Sequence, residues 1–272
     1  MNTNRNAIYN EMLNFYVLTG NDGQRELGNI HSIMNSFLTQ AREAIEQEKD
    51  DEAKIRKLID LVYVDWGFLT DSNNSFDHSN YYLPDVLTNR RGVAISVGGV
   101  LLYLAEKLEL PIYAMEFPVN IMLKADVNGK HLYFDPWTGR ESSEKYIEYI
   151  FRVHYGDEVE FSVPLLGELD EEELEFRYGQ LAKNSLMREN NFEPALAYIE
   201  NVLERYPGSL DEIRDRGILK MQLGRLQEAL KDLEEFVEKR PDDSFSIMFK
   251  EQLPLIKKDI EAQEKAKKES IH

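Results

Sequence analysis

The chain has 272 residues, 42% of them hydrophobic and 11% aromatic, which is typical of a globular protein. Its 50 acidic and 32 basic side chains give a formal net charge of −18, so its surface repels nucleic-acid backbones. No cysteine is present, which excludes disulfides, thiolate metal sites and a cysteine nucleophile. No apolar run approaches the roughly 20 residues of a membrane span, and the first residues lack the layout of a secretory signal. We therefore expect a cytoplasmic protein without nucleic-acid or membrane partners.

The first part of the chain, residues 1–68, is predicted to be mostly helical. Apolar residues recur there three and four positions apart, for example at Ile55, Leu58 and Ile59. Residues 70–90 are instead rich in Asn, Ser and Asp, which predicts a long ordered loop packed by its own aromatic side chains.

A buried helix followed by a small sheet is predicted next. In SVGGVLLYLAEKLEL the apolar residues form one helical stripe, with Ser96 as the N-cap and Pro111 after the end. The stretches IYAMEF, IMLKAD and HLYFD predict three strands, with a hairpin turn at Asn128-Gly129 between the last two. The prediction for residues 1–163 is therefore an α+β domain, helical at first and then containing a small antiparallel sheet.

A second, all-α domain is predicted for residues 164–272, because the sequence repeats itself there. Residues 190–209 align with residues 224–243 at a period of 34. The matched pairs include Ala195/Ala229, Leu196/Leu230, Ile199/Leu233 and Pro207/Pro241. This period, with small and apolar residues in register, predicts tetratricopeptide-like helical hairpins, which are followed by a terminal helix. Such arrays present surfaces to other proteins, so we expect a protein partner.

The stretch YYLPDVLTNRRGVAISVGGVLLYLAEKLELPIYAMEFPVNIML and the later YFDPWTG resemble the SirB-type bacterial proteins. These proteins join a transglutaminase-like (papain-like) domain to C-terminal tetratricopeptide repeats. The resemblance runs from about Trp66 to Gly139, and the repeats extend it over most of the chain. It implies a cysteine at a helix N-terminus, a histidine on the next strand segment and an aspartate on the following strand. By order, the matching nucleophile position falls within residues 94–96, and Ser96 is the preferred member; the other two positions are Asn120 and Asp135. We call Ser96, Asn120 and Asp135 the remnant triad.

The remnant triad lacks the proton-transfer groups that acyl transfer needs. A serine hydroxyl is a poor nucleophile unless a base takes its proton, and the amide of Asn120 has no site that protonates near neutral pH. Losing such groups lowers turnover by roughly 10⁴ to 10⁶ in a serine triad. We therefore expect no catalytic residues and no cofactor, and a protein-binding, scaffolding or regulatory role.

An enzymatic alternative uses His131. This residue is four positions before Asp135 and is predicted to share a strand face with it, so it could serve Ser96 as a base in an amide hydrolase or acyl transferase. His131 is otherwise an ordinary polar strand residue. Asp135 precedes Pro136 and also fits a turn former that hydrogen-bonds the backbone or Asn120.

A third reading is a small-ligand regulator. Arg90 and Arg91 could clamp an anionic group in the remnant cleft, or they could pair with Asp85 or Glu106 and hold the loop to the helix.

His78 with Asp77 and Asp85 could approach a metal ion, but no second histidine stands at ligand spacing. We therefore predict no metal site.

Overall fold

The computed structural model describes residues 5–20, 27–71, 74–118, 121–156, 158, 160–163 and 166–269, with the side chains of 267–269 excepted. The chain divides into two compact units, Met1–Ser185 and Leu186–His272. None of the helices in the described part of the chain combines the length and the apolar run that a bilayer crossing needs.

The first unit is helical at its start and contains a small sheet, as predicted. Its helices are α1 (Ala7–Thr19), α2 (Leu27–Ile45), α3 (Asp51–Asp60), α4 (Leu83–Asn89), α5 (Ala94–Lys107), α6 (Glu144–Tyr155) and most of α7 (Glu171–Arg188). A π-helical turn, Leu61–Asp65, follows α3, and a short 3₁₀-helix, His78–Asn80, precedes α4. Its strands are β1 (Leu69–Thr70), β2 (Arg91–Gly92), β3 (Ile112–Glu116), β4 (Ile121–Val127) and β5 (Lys130–Phe134).

Residues 70–90 are not a loop throughout, so that prediction is wrong for their second half. Helix α4 forms there because proline is favoured in a first helical turn, and Pro84 occupies that place. Leu83, Val86 and Leu87 are buried at helical spacing, which is an apolar stripe that the surrounding polar residues concealed.

Helix α5 carries the predicted buried stripe, but it begins earlier than predicted. Its N-cap is Val93, whose backbone is extended, and Val97 donates its N–H to the Val93 carbonyl at 3.0 Å. Ser96 is therefore inside the first turn, and the prediction that it caps the helix is wrong. The helix begins at Ala94 because apolar packing favours that start: Ala94, Ile95 and Val97 are all buried.

Strands β3, β4 and β5 form an antiparallel sheet in that order. The predicted hairpin turn is confirmed: Asn128 and Gly129 have φ of 51° and 80°, as a two-residue type I′ turn requires. One face packs on Ile147 of α6 through Met115 and Met122. The other face contacts α5.

The second unit is made of helical hairpins. Its helices are α8 (Phe192–Arg205), α9 (Leu210–Gln222), α10 (Leu226–Lys239) and α11 (Ser244–Glu269). Helices α8 and α10 begin 34 residues apart, which agrees with the period of the sequence. Ala195 and Ala229 are fully buried, as expected where paired helices cross closely. At Gly217 on α9, an added Cβ would lie 2.8 Å from Leu233 on α10, so only glycine permits this approach.

The predicted boundary at 163/164 lies inside the first unit, which continues to Ser185. The physical reason is Tyr178 on α7, which is fully buried. Its ring packs edge-on against Phe15 and Tyr81, and its hydroxyl donates to the Tyr81 carbonyl at 2.7 Å. The start of α7 therefore belongs to the core of the first unit.

Candidate functional site

Ser96 lies in the first turn of α5, where the resemblance places the nucleophile. Its side chain is completely buried, and within the described residues its Oγ has no hydrogen-bond partner. Gly92 approaches it so closely that an added Cβ there would lie 3.4 Å from the Ser96 Cβ. The hydroxyl therefore has neither a described base nor contact with solvent.

Apolar atoms cover α5 immediately beyond Ser96. An added Cβ at Gly98 would lie 3.3 Å from Ile121 Cδ1 and 3.6 Å from Pro136 Cβ. Strand β4 and the Asp135-Pro136 turn thus pack directly on this helix.

Asp135 uses its carboxylate to build a turn. Oδ1 accepts the backbone N–H of Trp137 at 2.9 Å, and Oδ2 accepts the hydroxyl of Thr138 at 3.0 Å. The backbone carbonyl of Asp135 accepts the N–H of Gly139 at 2.8 Å. These contacts correspond to the turn-forming role considered for this residue, and they occupy both carboxylate oxygens.

Tyr63, in the π-helical turn, fixes the same turn from the other side. Its hydroxyl donates to the Pro136 carbonyl at 2.8 Å. Gly139 has a φ of 68°, and an added Cβ there would lie 2.4 Å from the Tyr63 ring. Burial, and then the charge of Asp135, raise the pKa of Tyr63, so the phenol remains protonated and a hydrogen-bond donor.

The structure does not bring His131 to Asp135. Its Nδ1 contacts Oδ1 of Asp126, which is its cross-strand neighbour, and its side chain is 46% exposed. Four residues along a strand span about 13 Å, so His131 is far from the turn that holds Asp135. The described residues therefore do not show the arrangement of the enzymatic alternative, in which Asp135 would orient His131. The third remnant position, Asn120, lies outside the described residues.

Arg90 and Arg91 contact the segment of residues 66–71. Their partners there are not Asp85 or Glu106, the two residues considered from the sequence. Arg90 ends α4 in the left-handed conformation with a φ of 51°, and its guanidinium donates to the Trp66 carbonyl at 2.8 Å. Arg91 pairs through Nε with Asp71 at 3.0 Å. The Asp71 side chain is buried while that of Arg91 is 57% exposed, so Arg91 still presents charge to solvent.

His78 and Asp85 lie near one another, as the sequence suggested. Burial raises the pKa of Asp85, the nearby His78 lowers it, and the charge of Asp77 raises it. The His78 ring meets Tyr82 edge-on at 5.0 Å between centroids, so part of its surface packs on the aromatic residues of this segment.

Sequence reasoning missed Tyr63 and Asp71. The Tyr63–Gly139 contact joins residues 76 positions apart, and no local pattern announces it. A glycine directly after Asp-Pro-Trp-Thr was the available signal that a close approach occurs at that turn.

Comparisons with known proteins agree with both units. Residues 29–178 match the transglutaminase-like superfamily, and residues 182–254 match the tetratricopeptide repeat. The chain is 35% identical to a UPF0162 protein of Haemophilus influenzae over 256 residues, which is 94% of this chain and 96% of that one.

Two enterobacterial proteins are similar as well. The UPF0162 protein YchA of Escherichia coli K12 is 33% identical over 82% of this chain and 84% of its own length. Protein SirB1 of Salmonella typhimurium is 32% identical over 84% of this chain and 85% of its own. The predicted resemblance is thereby confirmed: the chain belongs to the UPF0162/SirB1 family, whose architecture of a transglutaminase-like domain and tetratricopeptide repeats supports a protein-interaction module.

Proposed function

We propose that this protein is a non-catalytic member of the transglutaminase-like superfamily that binds another protein as a scaffold or regulator. The observation that carries the proposal is Ser96: the side chain at the nucleophile position is fully buried and its Oγ meets no partner in the described residues. A nucleophile must reach its substrate and lose a proton to a nearby base.

The neighbouring groups support the same proposal. Both Asp135 oxygens accept hydrogen bonds from the turn that they build, and none of the described partners of this carboxylate is an imidazole. His131 is about 13 Å from Asp135, near the start of β5, and contacts Asp126. An enzyme built from Ser96 and His131 would therefore need a rearrangement of both the helix end and the sheet.

The repeats support the binding role. Stacked helical hairpins form extended surfaces, each hairpin contacting its neighbours, and such surfaces commonly bind other proteins. With a net charge of −18, the protein attracts partner segments that carry basic residues.

The catalytic half of the proposal is tested by steady-state hydrolysis. Full-length protein is incubated with a panel of amide and ester substrates, beside Ser96→Ala and, as a matched control, Ser32→Ala on the exposed surface of α2. We expect turnover indistinguishable from buffer for all three proteins. A rate of about 1 s⁻¹ or more that Ser96→Ala abolishes would overturn the proposal.

The binding half is tested by proximity labelling in bacterial cells. The full-length chain is compared with Gly217→Val, which forces α9 away from Leu233, and with Gly208→Val, where an added side chain meets open space. We expect a specific set of labelled proteins that Gly208→Val retains and Gly217→Val loses. Identical labelling by all three proteins would contradict a binding role for the repeats.

A further inference from the structure

The terminal helix α11 has an apolar face that no described residue covers. It packs on α10 through Phe249 and Ile256, which are buried with Leu233 and Phe236. Away from that contact, Ile247 is 60% exposed, Met248 42% and Leu255 62%. A terminal helix of a repeat array normally presents a polar outer face, because no further repeat covers it. Exposed apolar side chains there indicate an interface.

Two opposite charges lie within this face. At 100° per residue, Ile247, Met248, Leu255 and Ala262 fall within an arc of about 120°, and Glu251 and Lys258 fall near its centre. Glu251, Leu255, Lys258 and Ala262 are all exposed. We call this arc of α11 the outer seam.

We propose that the outer seam is an interface between two copies of this chain, packed antiparallel about a two-fold axis between Pro254 and Leu255. The proposal is independent of whether the transglutaminase-like domain is catalytic. In a two-fold interface the same surface serves both copies, so it must be complementary to itself.

The outer seam meets that condition in this register. The axis places Glu251 opposite the partner's Lys258, and symmetry repeats the pair. It also brings Leu255 within one residue, about 1.5 Å along the axis, of the level of the partner's Leu255, and Ile247 to the level of the partner's Ala262, so apolar contacts accompany the charges. A parallel alignment in register would instead put Glu251 against Glu251 and Lys258 against Lys258.

A second pair of charges reinforces the antiparallel register. Lys250 and Glu261 are both exposed and lie beyond the same edge of the seam, by their angular positions on the helix. Within the chain, the Lys250 ammonium donates to the Pro241 carbonyl at 2.8 Å, a bond that pairing with Glu261 would replace. In the proposed dimer, Lys250 comes within two residues, about 3 Å along the axis, of the level of the partner's Glu261. Long side chains span such an offset, and charges of this kind select register and partner more than they add affinity.

One helix per copy gives an interface at the small end of specific complexes, so the dimer is expected to be reversible and dependent on concentration. Sedimentation equilibrium of the full-length protein, from about 1 to 200 μM in low salt, measures this directly. We expect a monomer–dimer equilibrium within this concentration range.

Charge reversal tests the register. Glu251→Lys and Lys258→Glu each place like charges opposite one another twice, so each variant is expected to be monomeric over the same range. The double variant restores opposite charges and is expected to recover the dimer. Lys231→Glu, on the exposed surface of α10, is the matched control and is expected to dimerise as the parent does.

A further variant, checked by circular dichroism, separates loss of the dimer from loss of folding. Leu255→Asp is expected to abolish the dimer with an unchanged circular dichroism spectrum, because its side chain is 62% exposed. The proposal is overturned by a monomer at every concentration, by a dimer that Glu251→Lys leaves unchanged, or by a double variant that stays monomeric. A monomer that holds a different protein on the outer seam would likewise overturn it.

Discussion

Replacing Ser96 with alanine should stabilise the protein, although this position would be the nucleophile of an active relative. The Ser96 Oγ is buried and no described group pairs with it, and a polar group buried without a partner costs about 1 to 3 kcal/mol. Alanine removes that cost and is also the better helix former, by about 0.5 kcal/mol. Loss of the oxygen's packing contacts offsets part of the gain.

We expect Ser96→Ala to raise the free energy of unfolding by about 1 kcal/mol. For a folding unit of this size, that corresponds to an increase in Tm of about 2 to 4 °C. Urea titration and differential scanning calorimetry measure both quantities. If Ser96 were a catalytic nucleophile, the same substitution would also remove turnover.

Ser185→Ala is the matched control. Ser185 is also fully buried in a helix, but its hydroxyl donates to the Ala182 carbonyl at 2.6 Å. Removing this hydroxyl forfeits a hydrogen bond worth about 0.5 to 1.5 kcal/mol, so no gain in stability is expected. If Ser96→Ala proves as costly as Ser185→Ala, or costlier, the Ser96 hydroxyl has a partner and our reasoning about its isolation fails.

Three further predictions concern the turn, the tyrosines and the repeats. Gly139→Ala should cost about 2 to 4 kcal/mol in urea unfolding, since its φ is 68° and a Cβ would lie 2.4 Å from Tyr63. Gly67→Ala, at the same φ of 68° but in open space, should cost only about 1 to 2 kcal/mol, and equal losses would contradict the proposed clash. Because burial raises the pKa of Tyr63, the folded state keeps its proton while the unfolded state loses it above about pH 10. The stability tied to this proton is complete below pH 10 and falls by up to about 1.4 kcal/mol per pH unit above it. Tyr63→Phe should remove this share of the slope between pH 10 and about 11, while other buried tyrosines such as Tyr9 and Tyr178 keep theirs, and an unchanged slope would refute this assignment. Asp232→Ala should cost about 3 to 5 kcal/mol, because Arg216 and Lys220 pair with this buried carboxylate at 2.6 and 2.9 Å, whereas a loss below 1 kcal/mol would show that the pairs contribute little.

Local patterns in the sequence predicted the elements whose stability is decided locally. The stripe of α5, the Asn128-Gly129 turn and the period of 34 are each visible within a short window. They were sufficient for the α+β class and for the repeats.

Features that depend on contacts between distant residues could not be read in this way. Helix α5 begins before Ser96 because apolar packing of Ala94 and Ile95 outweighs the preference of serine for the N-cap position. His131 contacts Asp126 because strand register, not spacing along one strand, decides its neighbour.

For the candidate site too, some features were predictable from the sequence and others depend on packing. The residue types of the remnant triad already indicated that proton transfer was missing, since an amide cannot replace an imidazole. Sequence could not show that Ser96 is buried or that the turn occupies both oxygens of Asp135. Those facts come from the packing of β4 and Pro136 on α5.

Covalent labelling of Ser96 under native conditions tests the central claim most directly. Full-length protein is exposed to a fluorophosphonate probe, and intact-mass and peptide mass spectrometry then measure the modified fraction. We expect Ser96 to stay unmodified over hours, because its Oγ is buried and has no described base. Stoichiometric modification of Ser96 in the folded protein, absent in Ser96→Ala, would contradict the account.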